Sequence, residues 1–115
     1  IPGPSAVTAA VSIAGFTGNQ FTFVGFVPQK RGRETFFKSL SSYHHPVVCF
    51  ESTHRIIKTL TTLVEQYPDA TVRLGRELTK QFEEMIIGTP SELLAQLTNQ
   101  PERQKGEFVV LFEHA

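Results

Sequence analysis

Three short polar segments lie beside predicted strands, where they could contact a ligand. They are the rigid turn of Ile1, Pro2, Gly3, Pro4, Ser5 and Ala6, the run Glu51-Ser52-Thr53-His54-Arg55, and the charged run Arg76-Glu77-Leu78-Thr79-Lys80. Ligand clefts of open α/β sheets form at strand ends. The first segment also begins a predicted helix, whose free backbone amides can meet a ligand. These segments are therefore the candidates for binding or chemistry.

Each of these segments also has a purely structural interpretation. The first is compatible with a plain helix entry, and the third with a solvated charged loop that is followed by Glu83 and Glu84. Helix capping would explain Ser52 entirely, but it leaves the neighbouring pair His54 and Arg55 without a role. The residue types alone leave these alternatives open.

A fourth polar group is basic and consists of Lys30, Arg31 and Arg33, with Lys38 further along the chain. It lies on a predicted loop and the start of a predicted helix. A cation at a helix N-terminus opposes the helix dipole, so local stability does not explain these residues. Contact with phosphate groups would explain them.

The composition is that of one soluble globular domain. Of 115 residues, eleven Lys and Arg balance eleven Asp and Glu, which argues against nucleic-acid binding by overall charge alone. The single Cys49 excludes an intramolecular disulfide and predicts a cytoplasmic location with an inert, buried thiol. No signal peptide and no run of about 18 apolar residues is present. His44 and His45 are predicted to lie in a surface loop, and no spacing predicts a metal site.

The periodicity of apolar residues predicts alternating helices and strands. The predicted strands lie at Phe21–Phe26, Val47–Phe50, near Thr71–Leu74, at Phe82–Ile87 and at Phe108–Phe112. Between and before them, the pattern predicts a helix with Ala6, Ala9, Ala10 and Ile13 on one face, and a second helix from Arg33 to about Ser42. It also predicts a third helix, capped by Ser52, with a stripe of Ile56, Leu60, Leu63, Val64 and Tyr67, and a fourth that buries Leu93, Leu94 and Leu97. Thr89-Pro90-Ser91-Glu92 is a predicted capping box. This order predicts a three-layer α/β domain with a mixed, mostly five-stranded sheet flanked by helices.

The ordered set of motifs resembles one enzyme family. The motifs are IPGPSA, FVGFVPQKRGR, FESTHR, RELTK, EExxxGT and the final GEFVV. Together they resemble the small-subunit ribosomal RNA cytidine 2′-O-ribose methyltransferases of the tetrapyrrole-methylase fold class, over essentially the whole chain. The family usually has Pro where this chain has Thr53. Proline there would preorganise a helix start, so we expect only a small local effect on stability.

The resemblance implies S-adenosylmethionine as the cofactor and ribosomal RNA as the substrate, in a homodimeric enzyme without a metal ion or a membrane partner. It implies cofactor contacts from Pro2, Gly3, Pro4, Ser5, Ala6, Phe50, Glu51 and Arg76. It implies catalytic or positioning roles for His54, Arg55 and Glu77. It implies RNA contacts from Lys30, Arg31, Arg33 and Lys80, with His54 and Arg55 also on the RNA side.

The resemblance further implies that this chain is the C-terminal subdomain of a longer enzyme, whose N-terminal half would supply the other wall of the cofactor cleft. The start at Ile1 without an initiator Met agrees with that expectation. Two alternatives are a methyltransferase of the same fold that acts on a tetrapyrrole or another small molecule or side chain, and a non-catalytic dimerising module. The basic group favours RNA, because a small macrocycle needs no phosphate-contacting surface.

Overall fold

The computed structural model describes residues 20–77, 82–99 and 107–114. Within these ranges the chain forms five strands and three helices. They are β1 Thr22–Phe26, α1 Arg33–Ser39, β2 Val47–Ser52, α2 Ile56–Gln66, β3 Thr71–Glu77, β4 Phe82–Gly88, α3 Pro90–Asn99 and β5 Glu107–Glu113, with a 3-10 turn at Leu40–Ser42 after α1. The predicted helix around Ala6 to Ile13 lies outside the described residues.

The five strands form one mixed sheet in the order β1-β2-β5-β3-β4. β1 and β2 are parallel, whereas β2 with β5, β5 with β3 and β3 with β4 are antiparallel. The C-terminal ends of β1, β2 and β3 therefore lie at the same edge of the sheet. The predicted mixed, five-stranded α/β fold is confirmed.

The three described helices share one core with one face of the sheet. Their buried side chains are Phe37 of α1, Ile56, Leu60 and Leu63 of α2, and Leu93 and Leu97 of α3. The strand residues in the same core are Val47, Cys49, Val72, Leu74, Phe108, Val110 and Phe112. On the opposite face, Val48, Val109 and Leu111 are also buried. The centre of the sheet is thus shielded from solvent on both faces, which explains its nearly continuous apolar strands.

The capping box forms as predicted at the start of α3. The Thr89 backbone N–H donates to Glu92 Oε1 at 2.8 Å, and the Glu92 N–H donates to Thr89 Oγ1 at 3.4 Å. The first of these bonds stabilises the carboxylate, and it lowers the pKa of Glu92. Gly88 leaves room for this arrangement, because an added Cβ would lie 3.0 Å from Glu92 Oε1.

The prediction that Ser52 caps α2 is wrong. Ser52 is the last residue of β2, where it pairs with Glu107, and α2 begins only at Ile56. Arg55 is the N-cap residue of α2 and makes no side-chain capping hydrogen bond. The pairing of β2 with β5 continues past Phe50, so the helix starts one turn later than Ser52 would allow. The strand that was predicted near Thr71–Leu74 is also longer than expected, because β3 continues through Arg76 and Glu77.

Candidate functional site

A buried carboxylate lies at the C-terminal end of β2. Glu51 has no exposed surface, and its Oε2 accepts a 2.5 Å hydrogen bond from the Thr59 hydroxyl of α2. Its Oε1 accepts the Ser52 backbone N–H at 2.8 Å and Arg55 Nε at 3.3 Å. A buried carboxylate requires this kind of compensation, because its desolvation otherwise costs several kcal/mol. Glu51 is therefore a rigid anchor for the turn that carries His54 and Arg55.

Arg33 extends this group toward the loop between β1 and α1. Its Nη2 donates to Thr59 Oγ1 at 3.4 Å, its Nη1 donates to the Pro28 carbonyl at 3.2 Å, and its guanidinium lies 4.8 Å from the Phe37 ring centre. We call Glu51, Arg55, Thr59 and Arg33 the Glu51 network. The network connects three parts of the chain: the loop that carries Lys30 and Arg31, which we call the basic loop, the end of β2, and the first turns of α2.

Aromatic side chains form a second feature at the same sheet edge, on the face opposite the helices. Phe23 and Phe26 are 47% and 54% exposed, and their rings lie 5.2 and 5.4 Å from the Phe50 ring, centre to centre. A β-bulge at Gly25, which has φ +77°, brings Phe23 and Phe26 onto the same face. We call Phe23, Phe26 and Phe50 the aromatic platform.

A polar atom lies next to this platform. The Ser52 hydroxyl is buried without a hydrogen-bond partner among the described residues. Ser52 follows Phe50 by two positions in β2, so both side chains point to the same face. A buried hydroxyl without a partner is uncommon in folded proteins, so the Ser52 hydroxyl is a candidate for contact with a bound group.

The structure places the predicted site residues as follows. Glu51 and Arg55 are in contact, and Arg33 is joined to them through Thr59. Phe50 lies in the aromatic platform. His54, Lys30 and Arg31 are exposed. Arg76 and Glu77 lie in β3, where Arg76 aligns with Glu51 across Phe108 of β5, and Glu77 aligns with Ser52 across Glu107. Pro2, Gly3, Pro4, Ser5, Ala6 and Lys80 lie outside the described residues.

Strand spacing puts the backbones of Glu51 and Arg76 about 10 Å apart, since strands lie roughly 4.8 Å from their neighbours. The described parts of the second and third polar segments thus share one edge of the sheet, as expected for a ligand cleft at strand ends.

The sequence predictions missed four residues of this region, namely Phe23, Phe26, Ser52 as an unpartnered hydroxyl, and Thr59. Gly25 inside an aromatic strand was the available signal for Phe23 and Phe26, because glycine within a strand indicates a bulge. No local signal marks Thr59, whose partners lie eight and twenty-six positions away.

Cys49, His44 and His45 belong neither to the Glu51 network nor to the aromatic platform. Burial, and secondarily the charge of Glu51, raises the pKa of Cys49 to about 12, so this thiol is unsuited to act as a nucleophile. His44 and His45 line a cleft of about 240 Å³ near the start of β2, and His45 is hydrogen-bonded to the Thr22 hydroxyl. Within the described ranges, no cluster of side chains could hold a metal ion, and no helix is long and apolar enough to cross a membrane.

Comparisons with known proteins agree on one family. The sequence profile of the Tetrapyrrole (Corrin/Porphyrin) Methylases matches residues 1–94. Proteins named ribosomal RNA small subunit methyltransferase I are similar across nearly the whole chain. That of Neisseria meningitidis serogroup A is 41% identical over 112 residues, which are 96% of this chain and 38% of that protein.

Two further proteins of that name give the same result. The Thermotoga maritima protein is 37% identical over 111 residues, which are 96% of this chain and 49% of that protein. The Escherichia coli O157:H7 protein is 38% identical over 116 residues, which are 98% of this chain and 40% of that protein. The chain therefore spans between about two-fifths and half the length of these relatives.

Proposed function

This chain belongs to the tetrapyrrole (corrin/porphyrin) methylase family, and from that premise we propose that its parent protein is an RNA methyltransferase. The parent protein transfers a methyl group from S-adenosylmethionine to the 2′-oxygen of a cytidine ribose in small-subunit (16S) ribosomal RNA. The observation that carries this proposal is the similarity of nearly the whole chain to proteins named as ribosomal RNA methyltransferases.

The residues at the sheet edge fit a nucleoside-containing cofactor. The exposed rings of Phe23 and Phe26 in the aromatic platform offer surface for stacking against an adenine, and the unpartnered Ser52 hydroxyl offers a hydrogen bond. Phe50, Glu51 and Arg76 are further contacts in this proposal, together with Pro2, Gly3, Pro4, Ser5 and Ala6. The other wall of the cleft comes from an N-terminal subdomain, and this chain is the C-terminal subdomain.

In the proposed reaction, S-adenosylmethionine supplies a methyl group activated on a sulfonium, so that the 2′-oxygen of the ribose can displace the thioether in line. The main task of the protein is then alignment, which supplies about 7–11 kcal/mol when both reactants are held rigidly. Arg55 suits this task because Glu51 fixes its Nε, while 28% of its side chain remains exposed.

His54 and Glu77 are the proposed groups for accepting the hydroxyl proton, a step worth roughly 10²–10⁴-fold. Glu51 is a poor base, because its carboxylate is fully buried and already accepts hydrogen bonds from Ser52, Arg55 and Thr59. Its role in the proposal is to hold Arg55 in place.

The substrate side of the proposal rests on the basic residues Lys30, Arg31, Arg33 and Lys80. Lys30 and Arg31 are exposed on the loop before α1, and their charges suit RNA phosphates. We further propose a cytoplasmic homodimer that needs no metal ion and no membrane.

A second candidate function is methylation of a tetrapyrrole or another small molecule, which the description of the matching family favours. The two candidates differ in what must contact the substrate. An RNA substrate requires Lys30 and Arg31 for phosphate contacts, whereas a small macrocycle does not. Replacement of both by Met would therefore weaken methylation of RNA and spare methylation of a tetrapyrrole.

The test is a calorimetric titration of S-adenosylmethionine into the full-length protein and into this chain, after circular dichroism has shown that each is folded. We expect binding to the full-length protein alone, followed by methylation of one cytidine in unmodified 16S RNA, located by mass spectrometry of ribonuclease fragments. Binding to neither protein would contradict the proposal and favour a non-catalytic interaction module. Tight binding to this chain in the absence of the N-terminal subdomain would contradict the split cofactor cleft.

A further inference from the structure

We propose that Arg33 and Thr59 are positioning residues that fasten the basic loop to the Glu51–Arg55 pair, so that Arg33 serves RNA binding through the loop and not by touching RNA. The inference rests on the proposed function, because it assigns these residues a role toward the same RNA substrate. We call the chain of contacts Arg33–Thr59–Glu51 the latch.

The first observation is the direction of the Arg33 guanidinium. Both of its terminal nitrogens donate to the protein, one to the Pro28 carbonyl and one to the Thr59 hydroxyl, and its Cζ lies over the Phe37 ring at 4.8 Å from the ring centre. A guanidinium used in this way has fewer donors left for a phosphate. Lys30 and Arg31, in contrast, are exposed.

The second observation is the position of Thr59. It is buried on the inner face of α2, and its hydroxyl donates to Glu51 Oε2 at 2.5 Å while it accepts from Arg33 at 3.4 Å. A hydroxyl can do both at once, because it has one hydrogen and two lone pairs. Among the described residues, the Thr61 and Thr62 hydroxyls of the same helix donate to the carbonyls of Ile57 and Lys58, one turn earlier in α2. Thr59 is thus the threonine of α2 that joins separate elements.

The consequence concerns the spacing of cations. The loop that carries Lys30 and Arg31 is attached through the latch to the carboxylate that also fixes Arg55. These three cations are therefore presented to a polyanion in one arrangement before binding. Without the latch, RNA would have to order the loop, and ordering a single residue costs roughly 5- to 30-fold in affinity.

Hydrogen exchange tests whether the latch exists. In the full-length protein, Thr59→Val keeps the side-chain volume and removes the hydroxyl, while Thr61→Val removes an exposed hydroxyl from the same helix. We expect faster amide exchange in residues 27–33 of Thr59→Val, where the Val27 and Arg33 amides bond to Phe50 and Lys30 carbonyls. Thr61→Val should match the wild type, and Thr59→Ser should restore protection. Unchanged exchange in Thr59→Val would refute the latch.

Salt dependence of RNA binding tests the positioning role. The logarithm of affinity falls with the logarithm of salt by about 0.7–0.9 for each neutralised phosphate. Arg31→Met should lower this slope by about that amount, as expected for a phosphate contact. Arg33→Met, which leaves the Thr59–Glu51 bond in place, should weaken binding roughly 5- to 30-fold at every salt concentration with the slope unchanged. A slope lowered in Arg33→Met as in Arg31→Met would show direct contact and overturn the inference.

Methylation kinetics separate this inference from the proposed function. With an active wild type, we expect Arg33→Met, which leaves the Thr59–Glu51 bond in place, to raise KM for RNA and to leave kcat within about twofold at saturating RNA, because Arg55 is still held by Glu51. A loss of kcat in Arg33→Met as large as its loss of kcat/KM would contradict positioning by the latch. A wild type that neither binds nor methylates the RNA would refute the proposed function, and with it the RNA role of Arg33 and Thr59.

Discussion

Replacement of Glu51 by Ala is the most informative perturbation of the site. The substitution removes the acceptor of three hydrogen bonds and leaves the Ser52 amide, Arg55 Nε and the Thr59 hydroxyl without their partner. Breaking a buried ion pair by removing one partner costs about 3–5 kcal/mol. Because 28% of the Arg55 side chain is exposed and can be rehydrated, we expect the lower part of that range, about 3–4 kcal/mol.

The chain provides a matched control for this substitution. Glu34 and Lys38 of α1 form an ion pair with the same (i, i+4) spacing, but their side chains are 83% and 73% exposed. Exposed pairs of this kind contribute about 0–1 kcal/mol. Glu51→Ala and Glu34→Ala therefore each remove a carboxylate from an (i, i+4) ion pair. They differ in the burial of that carboxylate and in the additional hydrogen bonds that Glu51 accepts from Ser52 and Thr59.

The assay is thermal unfolding of the full-length protein, followed by circular dichroism and calorimetry. In a protein of roughly 150–250 residues, a loss of 1 kcal/mol in unfolding free energy lowers Tm by about 2–4 °C. Glu51→Ala should therefore lower Tm by about 6–16 °C. Glu34→Ala should lower it by at most about 4 °C. Equal shifts for the two variants would refute the conclusion that buried hydrogen bonds to Glu51 hold the end of β2.

The remaining predictions concern Arg55, Glu92 and Cys49. Arg55→Ala in the full-length protein should reduce RNA turnover about 10²-fold, because misplacement of a reactant has an effect of that size. The affinity for S-adenosylmethionine, measured by calorimetry, should change little. An equal loss of turnover and of cofactor affinity would contradict the positioning role of Arg55. The lowered pKa of Glu92 means that its stabilising contribution is complete above the ordinary value of 4.5 and is lost as the pH falls through the lowered pKa. The Tm of Glu92→Gln should thus lie below that of the wild type at pH 7 and converge with it once the pH falls below the lowered pKa of Glu92, and a gap that persists in stronger acid would argue against the capping carboxylate. With a pKa of about 12, roughly one Cys49 thiol in 10⁴ is ionised at pH 8, so iodoacetamide should modify its peptide only after denaturation, and rapid labelling of the native protein would show that the thiol is accessible.

Local patterns were sufficient to predict most elements of this fold. The stripe of Ile56, Leu60 and Leu63 identified α2, and all three side chains are buried against the sheet. The capping box of α3 was predicted from Thr89 and Glu92, because its two hydrogen bonds join residues three positions apart. Such features involve residues that are only a few positions apart in a helix, so a short stretch of sequence is sufficient to predict them.

The prediction of Ser52 as a helix cap failed for a physical reason. Serine before a helical stripe is a good capping candidate by residue type. Its role was decided instead by the pairing of β2 with β5, a strand that lies more than fifty residues later in the chain. That pairing keeps Ser52 extended and delays the start of α2 to Ile56. A non-local contact thus overrode a local preference.

The sequence by itself determined the type and approximate position of the strands and helices, and the family to which the chain belongs, because periodicity, caps and ordered motifs are local properties. The tertiary structure alone decided that β5 lies between β2 and β3, and that Glu51 is buried and satisfied by Thr59 and Arg55. By residue type a glutamate is expected at the surface. Glu51 is stable inside because donors from β2, the following turn and α2 converge on it, and such convergence arises only when distant segments pack together.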